Sequence, residues 1–268
     1  MRYVAPTREA LDARALGRHP LDTWSQAYGF LGGASWPSIE VLNAHRPKSM
    51  SQRFVAQTPQ LLADGLHYEE RIATTGAIAT RECNWHDLFN ALVWMRYPAI
   101  KQALNLRQVA EIAVMGRRER SRPQCALTHF DEAGIVVRLR DAAMIGAWNA
   151  HDWETLFRGH RQAWLDGDAT VHVFGHALLE HALTPAKLLV GKAMVFLGDS
   201  GDALDACASA IDGGHALDDP QELRPFPLSG LPGWHDDGDA ADFYRVTPCF
   251  QPRRAERIYP PALALAYE

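Results

Sequence analysis

Apolar positions recur most regularly over residues 85–95, where Leu88, Leu92 and Met95 keep helical spacing. Asn84 is a suitable N-cap, and Asp87 falls in the first turn, where the helix dipole favours an anion. Pro98 should stop or kink this helix, and a second is expected from about residue 99 to Met115, closed by Gly116. On either side the pattern shortens. Residues 66–73 and 77–81 carry β-compatible types around Thr74-Thr75-Gly76, and we read a hairpin there. Residues 125–130 and 135–139 surround Asp131-Glu132-Ala133-Gly134 and read as a second hairpin.

Toward the N-terminus, Thr7 is a plausible cap for a helix over 8–16, and Ser38 opens a stretch over 39–44 that Arg46-Pro47 ends. Farther along, Asp141 and Asp152 open helices holding Trp148, Trp153, Phe157 and Trp164. Residues 171–174 are β-like, and Gly175 leads into a helix over 176–183. Residues 187–197 are apolar without a clear period, and a helix over 202–211 is closed by Gly213-Gly214. From Pro220 the chain is rich in Pro, Gly and aromatic residues, which predicts an extended tail packed on the body. Without a βαβ rhythm the class is α+β, with helices interspersed with antiparallel hairpins in a single compact domain. Within it we separate an N-terminal helical part (1–60), an α+β body (61–219) and the tail (220–268).

Composition narrows the function classes. A net charge of −5 over 268 residues argues against a broad nucleic-acid interface, and 47% hydrophobic against 22% charged residues excludes wholesale disorder. The best apolar run, residues 188–197, is broken by Lys192 and is about half the roughly 20 residues of a membrane span, so no membrane partner is expected. Residues 1–16 show no apolar core of a signal peptide. Cys83, Cys125, Cys207 and Cys249 form no C-x-x-C pair, so free thiols and a cytoplasmic location are expected.

The block from Asn84 to Trp94, followed by Tyr97-Pro98, Lys101 and Leu104-Asn105, resembles a bacterial family, the domain-of-unknown-function family 3025. Further matching pieces are Tyr68-Glu69, Thr80-Arg81, Phe130-Asp131-Glu132 with Gly134, Phe174-Gly175-His176 through Glu180, Pro232-Gly233-Trp234 and Phe243-Tyr244. The resemblance spans about residues 50–255. It implies kinship and, since the family has no established activity, no particular reaction.

The residues themselves offer candidate chemistry. His86 and Asn90 lie one helical turn apart and share a face, whereas Asp87 points roughly 100° away from His86. In the first turn the dipole should lower the His86 pKa and keep the ring neutral, as a metal ligand or general base requires. The plainer use of these residues is capping and buried hydrogen bonding. His176 and Glu180 repeat the spacing behind Gly175, which suits two ligands to a divalent ion or an ion-paired couple. Asp131 and Glu132 read first as turn residues. Arg81, Lys101 and Asn105 are candidates to hold an anionic group; His67, His129, His172 and His181 are secondary candidates. The charged connector from Arg117 to Arg122 is read as a solvated turn. There is no H-E-x-x-H, G-x-S-x-G, P-loop or G-x-G-x-x-G signature.

The leading expectation is a hydrolase acting on a small anionic substrate, with catalytic His86, Asn90, Asp87, His176 and Glu180. Arg81, Lys101 and Asn105 would bind substrate, and His176, Glu180 and His86 would hold a divalent metal ion. Two alternatives stand beside it: a non-catalytic binding or scaffold protein, and a ββα-metal-like nuclease built on the 66–81 hairpin and the His86 helix.

Overall fold

A computed structural model describes residues 3–116, 119–240 and 242–265. Strands β1 (Arg53–Ala56) and β2 (Ala77–Thr80) pair in parallel as a small two-stranded sheet. The larger sheet contains β3 (Gly134–Leu139), β4 (Ala169–Val173), β5 (Val190–Leu197) and β6 (Arg224–Pro227) in the order β4-β3-β5-β6, and β7 (Leu263–Ala264) pairs with β5. Its centre is parallel, β3 on β5, with antiparallel neighbours outside, β4 on β3 and β6 on β5. Ile135, Val136, Val137 and Leu139 of β3 are fully buried, so both faces of this strand are covered.

The main helices are α1 (Tyr68–Thr75), α2 (Trp85–Arg96), α3 (Pro98–Met115), α4 (Arg122–Ala133), α5 (His176–His181) and α6 (Ala203–Asp212). Asn84 caps α2 by accepting from the Asp87 N–H at 3.0 Å, and Pro98 starts α3. Every residue of α2 is buried except His86, Asn90 and Arg96. A helix so enclosed belongs to the core, and its two half-exposed polar residues mark where the core opens. Ser38 caps the short helix Ile39–Ala44, as expected, and Asp202, expected within the helix, caps α6 instead.

The fold is α+β, and the C-terminal segment packs on the body, but neither expected hairpin exists. Residues 68–75 form α1: the His67 side chain and Glu70 make a capping box, and Gly76, at φ 67°, terminates the helix. These end signals outweigh the β-compatible Ile72, Thr74 and Thr75 between them. β2 then pairs with the distant β1, so the ββα-nuclease comparison loses the hairpin on which it rested. Residues 125–130 lie within α4, opened by a Ser121–Gln124 capping box with a proline in the first turn. Asp131 and Glu132 thereby sit in the last turn of a helix. The expected helix over 8–16 is confined to Ala13–Leu16, because Arg8 is buried, donating to the carbonyls of Phe30, Leu31 and Gly33. The Pro/aromatic tail contributes β6 and β7 to the sheet, and Phe243, Tyr244 and Phe250 bury against the body.

One close crossing positions the site. The Gly175 N–H donates to the Gly134 carbonyl at 2.8 Å, and Phe130 stacks on Phe174 with centroids 5.2 Å apart. A Cβ on Gly175 would lie 2.4 Å from the Ala133 Cα, a backbone atom that cannot move aside. Gly175 thus lets the start of α5 lie directly on the last turn of α4. Gly175→Ala is expected to cost about 3 kcal/mol or more. Gly146→Ala, at a helical glycine with open space around it, should be neutral or stabilising by about 0.5–1 kcal/mol. Equal denaturant midpoints for the two variants would contradict this account.

Candidate active site

A cleft of about 340 Å³ opens between α1, α2, α3, α4 and the start of α5. His86 reaches it from the first turn of α2, His176 from the first residue of α5, and Glu132 from the last turn of α4. The Nε2 atoms of His86 and His176 are 3.1 Å apart. Glu132 Oε2 stands 3.6 Å from His176 Nε2, and one ligand atom from each of the three residues lies within 4.8 Å of the others. Behind this trio are two further carboxylates. Glu180 Oε2 is 3.0 Å from His86 Nδ1, and Asp131 Oδ2 is 3.7 Å from His176 Nδ1.

A carboxylate can only accept, so Glu180 holds the proton of His86 on Nδ1 and leaves Nε2 turned toward His176. Asp131 and Glu132 stand at nearly equal distances from the two nitrogens of His176, and Nδ1 makes no hydrogen bond, so no single partner sets its tautomer. The two Nε2 atoms meet at hydrogen-bond distance, which requires either a proton on one of them or a cation between them. Two nitrogens bound to one tetrahedral zinc at about 2.0–2.1 Å stand about 3.3 Å apart. The observed separation therefore fits a shared ion with little movement. Two histidines and one carboxylate, with His86 bonded to a further carboxylate behind it, is a donor set found in catalytic zinc sites.

The surrounding charges have mixed effects. Burial pushes the His176 pKa down to about 3, partly offset by Asp131. His86 shifts the other way: its bond to Glu180 raises its pKa against the effect of burial, and Glu132 adds to the rise. The expectation that the helix dipole keeps His86 neutral is thus corrected, because a directly bonded carboxylate outweighs a partial helix charge. Burial raises the Glu132 carboxyl. Burial also acts to raise Asp131, but Lys101 and the imidazoles outweigh it and hold that carboxyl below its ordinary value.

Lys101, 4% exposed, donates to Asp131 Oδ1 at 2.6 Å and to Asn90 Oδ1 at 2.8 Å. Asn90 in turn donates to Tyr68 Oη at 2.9 Å, and Asn105 donates to Glu69 Oε2 at 2.6 Å. Burial lifts the Glu69 carboxyl to about 7. Asn90 therefore belongs to the Lys101 network rather than to His86. Asp87 also stays apart from the histidines, accepting at 2.6 Å from the Arg81 backbone and at 2.7 and 3.0 Å from its guanidinium. The two expected anion clamps are both neutralised internally, Lys101 by Asp131 and Arg81 by Asp87, although Arg81 remains half exposed at the cleft.

His86, His176 and Glu180 are brought together, with Glu180 behind His86 and Glu132, rather than Glu180, beside the facing Nε2 atoms of the two histidines. Glu132 and Asp131 were hidden by the hairpin reading; the Ser121-x-x-Gln124 capping box is the signal that places them on a helix. His67 caps α1 and borders the cleft, while His129, His172 and His181 do not line it. Of the basic connector, Arg117 and Arg118 lie outside the described residues, and Arg122 pairs with Asp219 at 2.6 Å.

Fold and site together define an α+β protein with a histidine–carboxylate cleft whose donors suit a divalent cation. The chain belongs to the family described as "Protein of unknown function (DUF3025)", whose model matches residues 52–254 and so includes every residue of this cleft. No curated protein and no solved structure matches it. Among the described residues no helix is long and apolar enough to cross a membrane.

Two outcomes are expected. Lys101→Met leaves Asp131 beside a methyl-ended chain and should cost about 3 kcal/mol in chemical denaturation. In the metal-free protein, nitrogen-15 spectra of the imidazoles should show His86 titrating above its ordinary value and His176 far below it, with Glu180→Gln lowering His86. Because the folded pKa of His86 is raised, its stabilisation is complete below the ordinary imidazole pKa of about 6.5 and is lost as pH rises through the folded value. His176 acts oppositely: the unfolded chain takes the proton first, so its contribution falls as pH drops from the ordinary value toward about 3. The reverse order of titration would contradict this assignment.

Proposed function

We propose that the protein is a metal-assisted hydrolase of small anionic substrates, with His86, His176 and Glu132 as metal ligands. The observation that carries the reading is the approach of the two Nε2 atoms to 3.1 Å with the Glu132 carboxylate at their side. Three protein ligands leave a coordination position for water or substrate. A divalent ion bound there supplies Lewis acidity and brings the pKa of a bound water to about 7.

The chain's own residues would do the rest. Glu180 orients His86 and increases its basicity as a ligand. Asp131, held by Lys101, places a negative charge 3.7 Å from His176 Nδ1 and would support that ring electrostatically. Glu69 has a carboxyl that exchanges protons near neutrality and suits transfer to or from a leaving group. Arg81, kept in place by Asp87, offers its half-exposed guanidinium to an anionic group of the substrate. A cytoplasmic location accords with four unpaired cysteines, two of them buried.

Elemental analysis and competitive chelation of the purified protein test this. One divalent ion per chain is expected, with affinity falling more than about 100-fold in His86→Ala, His176→Ala and Glu132→Gln, and about 10–100-fold in Glu180→Gln. Hydrolysis of chromogenic carboxylate or phosphate esters should stop with chelator and return with zinc or manganese. A folded protein that takes up no ion under these conditions would instead support a non-catalytic hydrogen-bond network.

A further inference from the structure

The larger sheet has a gap along one edge. Residues of β6 pair with Val190 to Ala193 of β5, and β7 pairs with Phe196 and Leu197. Between them Met194 and Val195 have no strand partner on that edge among the described residues. A cavity of about 230 Å³ lies over the gap, walled by Met194, Val195, Ala216, Leu217, Leu223 and Leu263. It shares no lining residue with the histidine cleft.

Two charged side chains, Arg224 and Glu222, and His215 join the apolar residues in its wall. Arg224 lines the cavity and is only 2% exposed. Its Nε donates to Asn149 Oδ1 at 2.9 Å, a terminal nitrogen donates to the Pro260 carbonyl, and the guanidinium stands 5.2 Å from the Tyr259 ring centroid. A guanidinium has five N–H donors, so those partners leave capacity unused. All of them are neutral. Among the described residues no carboxylate forms an ion pair with Arg224. The Glu222 carboxylate, in the same wall, is engaged by the backbone N–H groups of Leu217, Asp218 and Asp219 rather than by Arg224. Arg257 stands 4.7 Å from the same Tyr259 ring and adds a second positive charge. Burial lowers the Arg224 pKa only to about 10, so it remains a cation at neutral pH. A buried cation without a counter-ion is costly, and an incoming anion would relieve that cost.

We propose that this cavity is a second ligand site, taking a small monocarboxylate with an apolar body. Its carboxylate would bond to the free donors of Arg224, and its hydrocarbon would lie along Met194, Val195 and Leu263. Charge-assisted contact to a guanidinium supplies orientation, and the apolar walls supply affinity.

Calorimetric titration of the full chain with octanoate, and with octan-1-ol as the uncharged comparison, tests this. Saturable octanoate binding is expected, at least about tenfold tighter than octan-1-ol. Arg224→Gln should remove that preference, and Leu263→Trp, which fills the cavity from the half-exposed edge strand, should remove binding. If Arg224→Gln does not fold, the alcohol comparison and Leu263→Trp decide the matter. Absence of saturable octanoate binding, equal binding of the alcohol, or full binding by Leu263→Trp would overturn the proposal. Chelator should leave the titration unchanged, so its outcome is distinct from that of the histidine site.

Discussion

The site depends on the close passage of two chain segments at Gly134 and Gly175. Asp131 and Glu132 end one helix immediately before Gly134, and His176 starts another immediately after Gly175. The backbone approach, sealed by a hydrogen bond and by stacked Phe130 and Phe174, places an imidazole and two carboxylates in one small volume. α2 then delivers His86 against them. Side chains from three helices thus converge because two of those helices meet without intervening side chains. Helix packing with ordinary residues at the crossing would hold the axes about 8–10 Å apart.

That convergence concentrates charge. Asp131, Glu132 and Glu180 surround two imidazoles, and Lys101 is the ammonium bound among them. Lys101 is committed to Asp131, so the negative excess falls on the side of the histidine nitrogens. The two histidines respond differently because their first neighbours differ. His176 is enclosed and poorly hydrogen-bonded, so desolvation prevails, whereas His86 is half-exposed and directly bonded to Glu180. A small cation between the two rings would meet both lone pairs and part of the excess negative charge at once.

Local signals were legible where they were chemically strong. Asn84, Pro98 and Gly116 delimit two helices by capping and by exclusion, and those helices stand as read. Residues 66–73 and 125–130 read as strands yet fall largely in α1 and α4, because short segments with β-branched residues or a Gly-containing end satisfy strand and helix patterns alike. The deciding features were capping boxes, one of which uses the histidine His67 as its cap. Misreading α4 hid Asp131 and Glu132, since a carboxylate in a turn and one on a helix end project to different places. The central parallel pairing of β3 with β5 had no local signature either: it joins strands separated by β4 and several helices.

By itself the sequence determined the α+β class, the family resemblance and the principal helix ends, and it singled out His86, His176 and Glu180 as candidates. It did so because capping, proline geometry and helical periodicity act over a few neighbouring residues. Only the tertiary structure decided that Glu180 bonds His86 across 94 positions, that Glu132 joins the histidines, and that Arg81 and Lys101 are internally paired. Those outcomes are set by which surfaces pack together, and the Gly134–Gly175 approach that sets them leaves no trace in spacing along the chain.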